Sequence, residues 1–463
     1  MRPNILLVPV ALLAAAVLAP VAALGPAPAA LGPGPGDPLV VVAHIDVGVN
    51  PYHDAFRWDD PRAQQHPCTY IPAFPCSAIP LVLHLDEPDW ETAFNLDLGV
   101  WENVGPNQLY WIKGTKIIGA ISFGPDKFAI LDDDGHGTMT ASRSAGNFHS
   151  LCPDCLFVAI EGLGNDGVTF AADSGFVDVQ TNSWGYLVPV SPGAQAAVAA
   201  AADKMPVFFA SGNGIEFQGG VTQPTYFEGT AAPGVVLVGA HDNGHVLTWD
   251  GSPQHVIADG YGPWTALRDA VSEERPDPVA CCTSTAAPYA AGGAAGLIFE
   301  ARRILGDLSP GIVGGVVASG PAGLVPQGPL ADGVFTLDEL RSVLFHTATA
   351  RPVAQADDGL LNWLGDPANA QLPPPGVALA GFVANPGQNP YCRLCVTTPV
   401  TWSSIPTQLP MYAREGYGAI DAPSVALAGA VLRGEVAEPA RALEDTLYGV
   451  DQQVREVGLA ALG

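Results

Sequence analysis

Short apolar runs alternate along the chain with alanine-rich stretches, and their spacing predicts strands and helices in turn. Residues 38–46 (PLVVVAHID), 156–162 (LFVAIEG), 177–185 (VDVQTNSWG), 206–213 (PVFFASGN) and 234–242 (GVVLVGAHD) are short β-rich runs. Between the third and fourth lies GAQAAVAAAADKM, residues 193–205, whose alanine content predicts a helix. Strands that are apolar on both faces and separated by helices form a parallel sheet covered on both sides. The expectation is an α/β fold of three layers, a mostly parallel sheet with helices on both faces. Ligands in such sheets bind at the carboxyl ends of the strands. The unusual polar residues stand there: Asp46 ends the first run, Asn182 and Ser183 fall in the third, and Asn213 ends the fourth.

Composition narrows the function classes. The chain has 463 residues, 48% of them hydrophobic, which is enough to build a large core. It carries 46 acidic against 19 basic residues, a net charge of −27. Nucleic acid is excluded as an expected partner, because phosphate binding needs a basic footprint. At the N-terminus one arginine precedes an apolar run over 5–24 that ends in small residues, so residues 1–24 read as a signal peptide. The expected location is secreted or extracellular; an uncleaved run would instead anchor the chain in a membrane. Residues 25–38 are rich in Ala, Gly and Pro and read as a linker. The eight cysteines fall as Cys68/Cys76, Cys152/Cys155, Cys281/Cys282 and Cys392/Cys395. In an exported chain disulfides are expected, with connectivity open. No metal site is expected, since the two C-x-x-C pairs lie far apart and no histidine cluster accompanies them. No cofactor is implied either, and a structural calcium is not readable.

Three stretches carry candidate chemistry: HIDVGVNPYHDAF around Asp46, LDDDGHGTMTASRSAGN around His136, and CCTSTAAPYAAG around Ser284. Acyl-bond hydrolysis by a serine needs a base to take the hydroxyl proton and a carboxylate to orient that base. The required types occur in the order Asp, His, Ser, which is the subtilisin order. Each residue also has a structural alternative. Asp46 could be a turn residue before Gly48, His136 a helix-start residue between glycines, and Ser284 a helix cap in a T-S-T run. No G-x-S-x-G surrounds Ser284, which weighs against a lipase or esterase.

With those residues in view, the chain resembles the subtilases, the subtilisin-like serine proteases. The resemblance rests on Asp46-Val47-Gly48, on His136-Gly137-Thr138 with Ala141, and on Thr283-Ser284 with Ala286, Ala287 and Pro288. TNSWG (181–185), ASGNG (210–214) and the segments 336–348 and 415–432 extend it over residues 39–435, the expected peptidase domain. The resemblance implies a subtilisin-like fold, Ser284 as nucleophile, His136 as general acid/base and Asp46 as its orienting carboxylate. It implies Asn213 as an oxyanion donor, and Ser183, Trp184 and Gly185 as a substrate-binding strand with Trp184 lining an upstream pocket. Asn213 and Trp184 also have plain structural roles open to them, a turn residue and a core residue. The implied partners are protein or peptide substrates.

The chain departs from the family pattern in places. Cys282 stands two residues before Ser284, where the family usually has glycine. Residues 57–115 and 351–412 read as insertions, the first as a rim or lid over the cleft, and 436–463 as an acidic C-terminal helix. Unperturbed, His136 titrates near 6.5, so activity is expected to rise through a limb near neutral pH. The competing function is a catalytically inactive subtilase fold serving as an extracellular binding or scaffold module.

Overall fold

A computed structural model describes residues 32–124, 130–185, 192–211, 234–242, 245–246, 255–260, 263–272, 274–276, 283–306, 328–349 and 417–439. The expected signal peptide over 1–24, Asn213, Cys281, Cys282, Cys392, Cys395, the segment 351–412 and all but the first residues of 436–463 lie outside them. The expected α/β class is what the structure contains. Thirteen described strands run in chain order: β1 (Val41–Asp46), β2 (Ile79–Leu81), β3 (Tyr110–Ile112), β4 (Ile117–Ser122), β5 (Leu156–Glu161), β6 (Val179–Asn182), β7 (Val207–Ala210), β8 (Val235–Asp242), β9 (His245–Val246), β10 (Val256–Asp259), β11 (Trp264–Ala266), β12 (Glu274–Pro276) and β13 (Ala419–Ile420). The described helices are α1 (Trp90–Leu96), α2 (Leu98–Trp101), α3 (His136–Ala145), α4 (Asn165–Asp173), α5 (Pro192–Ala202), α6 (Thr283–Leu305), α7 (Leu337–His346) and α8 (Ala422–Leu432).

One sheet holds most of the strands in the order β13-β10-β8-β7-β6-β1-β5-β4-β3-β2, with β9 paired to β8. From β13 to β5, and on to β4, neighbours are parallel; β3 against β4 and β9 against β8 are antiparallel. The chain builds β2 to β5 on one side of β1 and then crosses to β6 on the other. β1 therefore sits at the switch in strand order, where an open α/β sheet leaves a crevice at its carboxyl edge. Register brings Asp46 level with Glu161 of β5, and Ile45 level with Asn182 of β6.

Both faces of the sheet are covered. Val40 and Val42 join Ala141 of α3 and Ala286, Ala290 and Ala294 of α6 in one buried cluster. Val41, Ala43 and Ile45 join Val168 of α4 and Val198 of α5 in another. That alternation is the two-residue period of a strand with apolar layers above and below it. The central helix α6 is built from small residues because its neighbours come close. A Cβ on Gly292 would stand 2.7 Å from Ser144 O, and one on Gly293 would stand 2.8 Å from Ile420 Cγ2. A buried Arg302 on α6 donates to both carboxylate oxygens of Asp178, at 2.9 and 2.5 Å, and to Leu39 O, locking the helix to the start of the sheet.

Residues 57–115 depart from the expected lid. They contribute β2 and β3 to the sheet edge beyond β4, with α1 and α2 packed alongside. Cys68–Cys76 and Cys152–Cys155 are disulfide-bonded, each with a Cα–Cα distance of 5.3 Å. Bonds of that kind persist in oxidising compartments. No helix among the described residues is long and apolar enough to cross a membrane.

Candidate active site

Asp46 ends β1 and His136 begins α3, so both stand at the carboxyl edge of the sheet. Two periodicities align them. On β1, His44 and Asp46 are two residues apart and share the face that meets α3. On α3, His136 and Thr140 are one turn apart and share a side of the helix. The result is two neighbouring pairs. His136 Nδ1–H donates to Asp46 Oδ1 over 2.7 Å, and Thr140 Oγ1 lies 3.0 Å from both Asp46 Oδ2 and His44 Nε2.

Glycine lets the helix approach this closely. A Cβ on Gly137 would stand 2.1 Å from Gly48 O, a contact no side chain survives. Gly48 has φ +111°, in the region that favours glycine, and a Cβ there would lie 2.7 Å from the Leu131 carbonyl. Asn50 N–H then donates to Thr138 Oγ1 at 2.9 Å, tying the loop after β1 to α3. The first amides of α3 are satisfied from below by Asp132, which is buried and accepts from Gly135 N–H at 2.7 Å and Thr138 N–H at 2.6 Å.

Electrostatics follow from this burial. Asp46 is 1% exposed, and burial alone would raise its pKa. The charge and hydrogen bond of His136, with the His44 charge and the Val47 N–H, outweigh burial and hold the carboxyl below its ordinary value. For His136 burial works against the imidazolium, but the Asp46 charge and hydrogen bond, aided by Asp134 and Asp132, raise its pKa to about 9. His44 is the opposite case. Burial pushes its pKa down to about 4 despite the pull of Asp46, so it is neutral at pH 7.

Ser284 is the second residue of α6, partly exposed, in the first turn where backbone N–H groups lack helical partners. Its place is fixed by two ties to strand ends: Ser183 Oγ donates to Ser284 O at 2.8 Å, and Thr285 Oγ1 donates to Gly260 O at 2.9 Å. Ser284 Oγ points to Ser183 O at 3.5 Å, and among the described residues it makes no hydrogen bond to His136. Ser183 and Gly185 follow β6 directly, beside that turn. Trp184 is 7% exposed, with its ring edge-on to Phe209 at 5.5 Å, a core position on the opposite face of the sheet. Asn213 lies outside the described residues. No group of three or more His, Cys, Asp or Glu among the described residues could hold a metal ion.

Sequence reasoning passed over His44, Thr140 and Asp132. The signals were present but faint: a histidine inside an apolar strand two residues before Asp46, a threonine four residues after His136, and a run of three aspartates before it. Each gains meaning only when β1 and α3 are known to touch.

No family model and no curated protein matches the chain. Among solved structures, one described as "S41 Psychrophilic Protease" resembles it at TM-score 0.33 and 18% identity, over 57% of this chain and 78% of that one. At that level of superposition the likeness says nothing about chemistry.

Proposed function

We propose that the chain is an exported serine endopeptidase of the subtilisin-like type, acting on protein or peptide substrates. The observation that carries this reading is the Asp46–His136 pair, with a 2.7 Å bond from Nδ1 to a carboxylate that is 1% exposed. With Nδ1 committed to Asp46, Nε2 is the nitrogen that exchanges a proton, and 30% of the His136 side chain is exposed to receive one. Ser284 Oγ attacks the scissile carbonyl carbon as its proton passes to His136 Nε2. The imidazolium returns that proton to the leaving amine, the C–N bond breaks, and an ester on Ser284 remains. Water, losing a proton to the same nitrogen, hydrolyses the ester and regenerates the serine. The first-turn amides of α6 and the Asn213 side chain stabilise the oxyanion. The backbone of Ser183, Trp184 and Gly185 pairs with extended substrate by strand addition. The buried ring of Trp184 supports a role beneath that strand rather than in a pocket beside it.

The missing hydrogen bond between Ser284 and His136 favours a second reading, an inactive fold of the same type used as an extracellular binding module. Catalytic hydrogen bonds are often long before substrate binds, so the first reading stands ahead of the second. A fluorophosphonate probe separates them. An active enzyme is labelled at Ser284 and loses both label and peptidase activity in Ser284→Ala and His136→Ala. Absence of labelling in folded wild-type protein selects the binding module.

A further inference from the structure

Two side chains on the second oxygen of Asp46 have no part in the reaction above. His44 is 1% exposed, its Nε2 is 3.0 Å from Thr140 Oγ1 and 3.7 Å from Asp46 Oδ2, and its Nδ1 has no hydrogen-bond partner. Thr140 Oγ1 has one proton and three oxygen acceptors in reach: Asp46 Oδ2 at 3.0 Å, His136 O at 2.8 Å and Gly137 O at 3.2 Å. The carboxylate takes the proton, because a hydrogen bond to an ionised acceptor is about twice as strong as one to a neutral carbonyl. A lone pair of Oγ1 then accepts from His44 Nε2–H, which the Gly137 carbonyl also attracts, and this leaves the bare lone pair at Nδ1. The other tautomer would bury an N–H with no acceptor and turn the threonine proton away from Asp46. A buried line of donors therefore runs from His44 to Thr140 to Asp46, and the carboxylate's other oxygen receives His136.

We infer that Thr140, itself oriented by His44, is a positioning residue that fixes the Asp46 carboxylate and through it the His136 ring. The effect on rate rests on the peptidase reading; the effect on His136 does not. Oδ1 receives both His136 Nδ1–H and Val47 N–H, at 2.7 and 2.9 Å, so the Thr140 hydroxyl is the contact that holds the opposite oxygen and fixes the carboxylate plane from both ends. A neutral His44 suits the task. A proton on Nδ1 would place a second buried cation near Asp46 with nothing to accept its hydrogen bond, and would compete with His136 for the carboxylate. The ionisable groups acting on His44 are Asp46 and His136, and those acting on His136 are Asp46, Asp134 and Asp132.

The test uses the full chain. Thr140→Val removes the hydroxyl, and Thr140→Ser keeps it. His44→Leu removes the donor, and His44→Gln keeps an N–H at the position of Nε2. Two quantities are measured: the His136 titration by NMR of ¹⁵N-histidine-labelled protein, and kcat and KM on a peptide substrate. Thr140→Val and His44→Leu should lower kcat by between about 10- and 100-fold with KM little changed, the size expected when a catalytic group is displaced by about 1 Å. The His136 midpoint should rise, because a carboxylate that has lost a donor holds the imidazolium more tightly. Thr140→Ser and His44→Gln should restore both. An unmoved titration and unchanged kcat in folded Thr140→Val overturn the inference, as does an equal loss in Thr140→Ser. Should Thr140→Val fail to fold, the His44→Leu and His44→Gln pair decides on the same two measurements. If wild-type protein hydrolyses no peptide, the peptidase reading fails while the titration still decides whether Thr140 and His44 position Asp46.

Discussion

Replacing Asp46 with Asn tests the electrostatics of the site with almost no change in shape. The amide oxygen can still accept from His136 Nδ1–H, but the charge that opposes burial is gone. His136 is raised to about 9 in the intact protein against an ordinary value of 6.5, so Asp46 and its neighbours overcome the burial cost with room to spare. That difference is roughly 300-fold in proton affinity, or ~3 kcal/mol. Water reaches the 30% of the His136 side chain that is exposed and reduces the effect. A fall of at least about one pH unit in the midpoint is therefore expected, toward or below 6.5. The assay is the His136 NMR titration beside kcat/KM from pH 5 to 10. In the wild type the rate should climb toward pH 9; in the variant the limb should lie lower, while the plateau falls steeply. In a Ser-His-Asp protease, loss of the orienting carboxylate costs about 10⁴ in kcat. Stability carries the same signature. The folded pKa of His136 is raised, so its contribution is complete below about 6.5 and disappears as pH rises through about 9. The folded pKa of Asp46 is lowered, so its share is present above 3.8 and disappears as pH falls. A His136 midpoint that stays near 9 in Asp46→Asn would refute the assignment of Asp46 as the main raising partner.

Three further perturbations follow from packing and burial. Gly137→Ala places a Cβ 2.1 Å from Gly48 O and should destabilise by at least ~1–3 kcal/mol while displacing His136, read as a lower Tm together with a lower kcat; an unchanged Tm would show that α3 can retreat without cost. Arg302→Met leaves Asp178 charged and 0% exposed, so denaturant unfolding should show a loss of ~3–5 kcal/mol, largely regained when Asp178 is also made apolar. Lys116 is fully buried, with Nζ donating to Asn147 Oδ1 at 2.9 Å, and burial lowers its pKa to about 7. The unfolded chain then binds more protons than the folded one between about 7 and 10.5, so wild-type stability should gain from Lys116 as pH rises through that window, by up to a few kcal/mol. Lys116→Met should lack that gain, and identical pH profiles for the two proteins would contradict it.

Much of the architecture was legible in the linear pattern. Five apolar runs corresponded to β1, β5, β6, β7 and β8, and the alanine-rich segment 193–205 to α5 at Pro192–Ala202. Continuous apolarity marked those strands as covered on both faces, which is why parallel pairing could be expected from them. The short strands were not legible. β2, β3 and β13 are two or three residues long, too short for any period to show, so residues 57–115 read as a lid when they extend the sheet edge. Trp184 was equally ambiguous, since its alternation along β6 says which neighbours share its face but not which face is the cleft.

The sequence by itself determined the local chemistry: which residue types stand at the ends of apolar runs, where glycine interrupts them, and that apolar runs alternating with alanine-rich stretches fold as α/β. Tertiary structure alone decided what those residues touch. Asp46 and His136 are 90 residues apart in the chain and 2.7 Å apart in space. That closeness depends on a helix seated against β1 at one height, permitted by the missing side chains of Gly48 and Gly137 and fixed by the bond from Asn50 to Thr138. The same seating turned His44 and Thr140 from an odd polar pair into a second contact on Asp46. Periodicity is a property of neighbours in sequence and survives in a string of letters. Registration between a strand and a helix depends on packing across the core, and no local pattern encodes it.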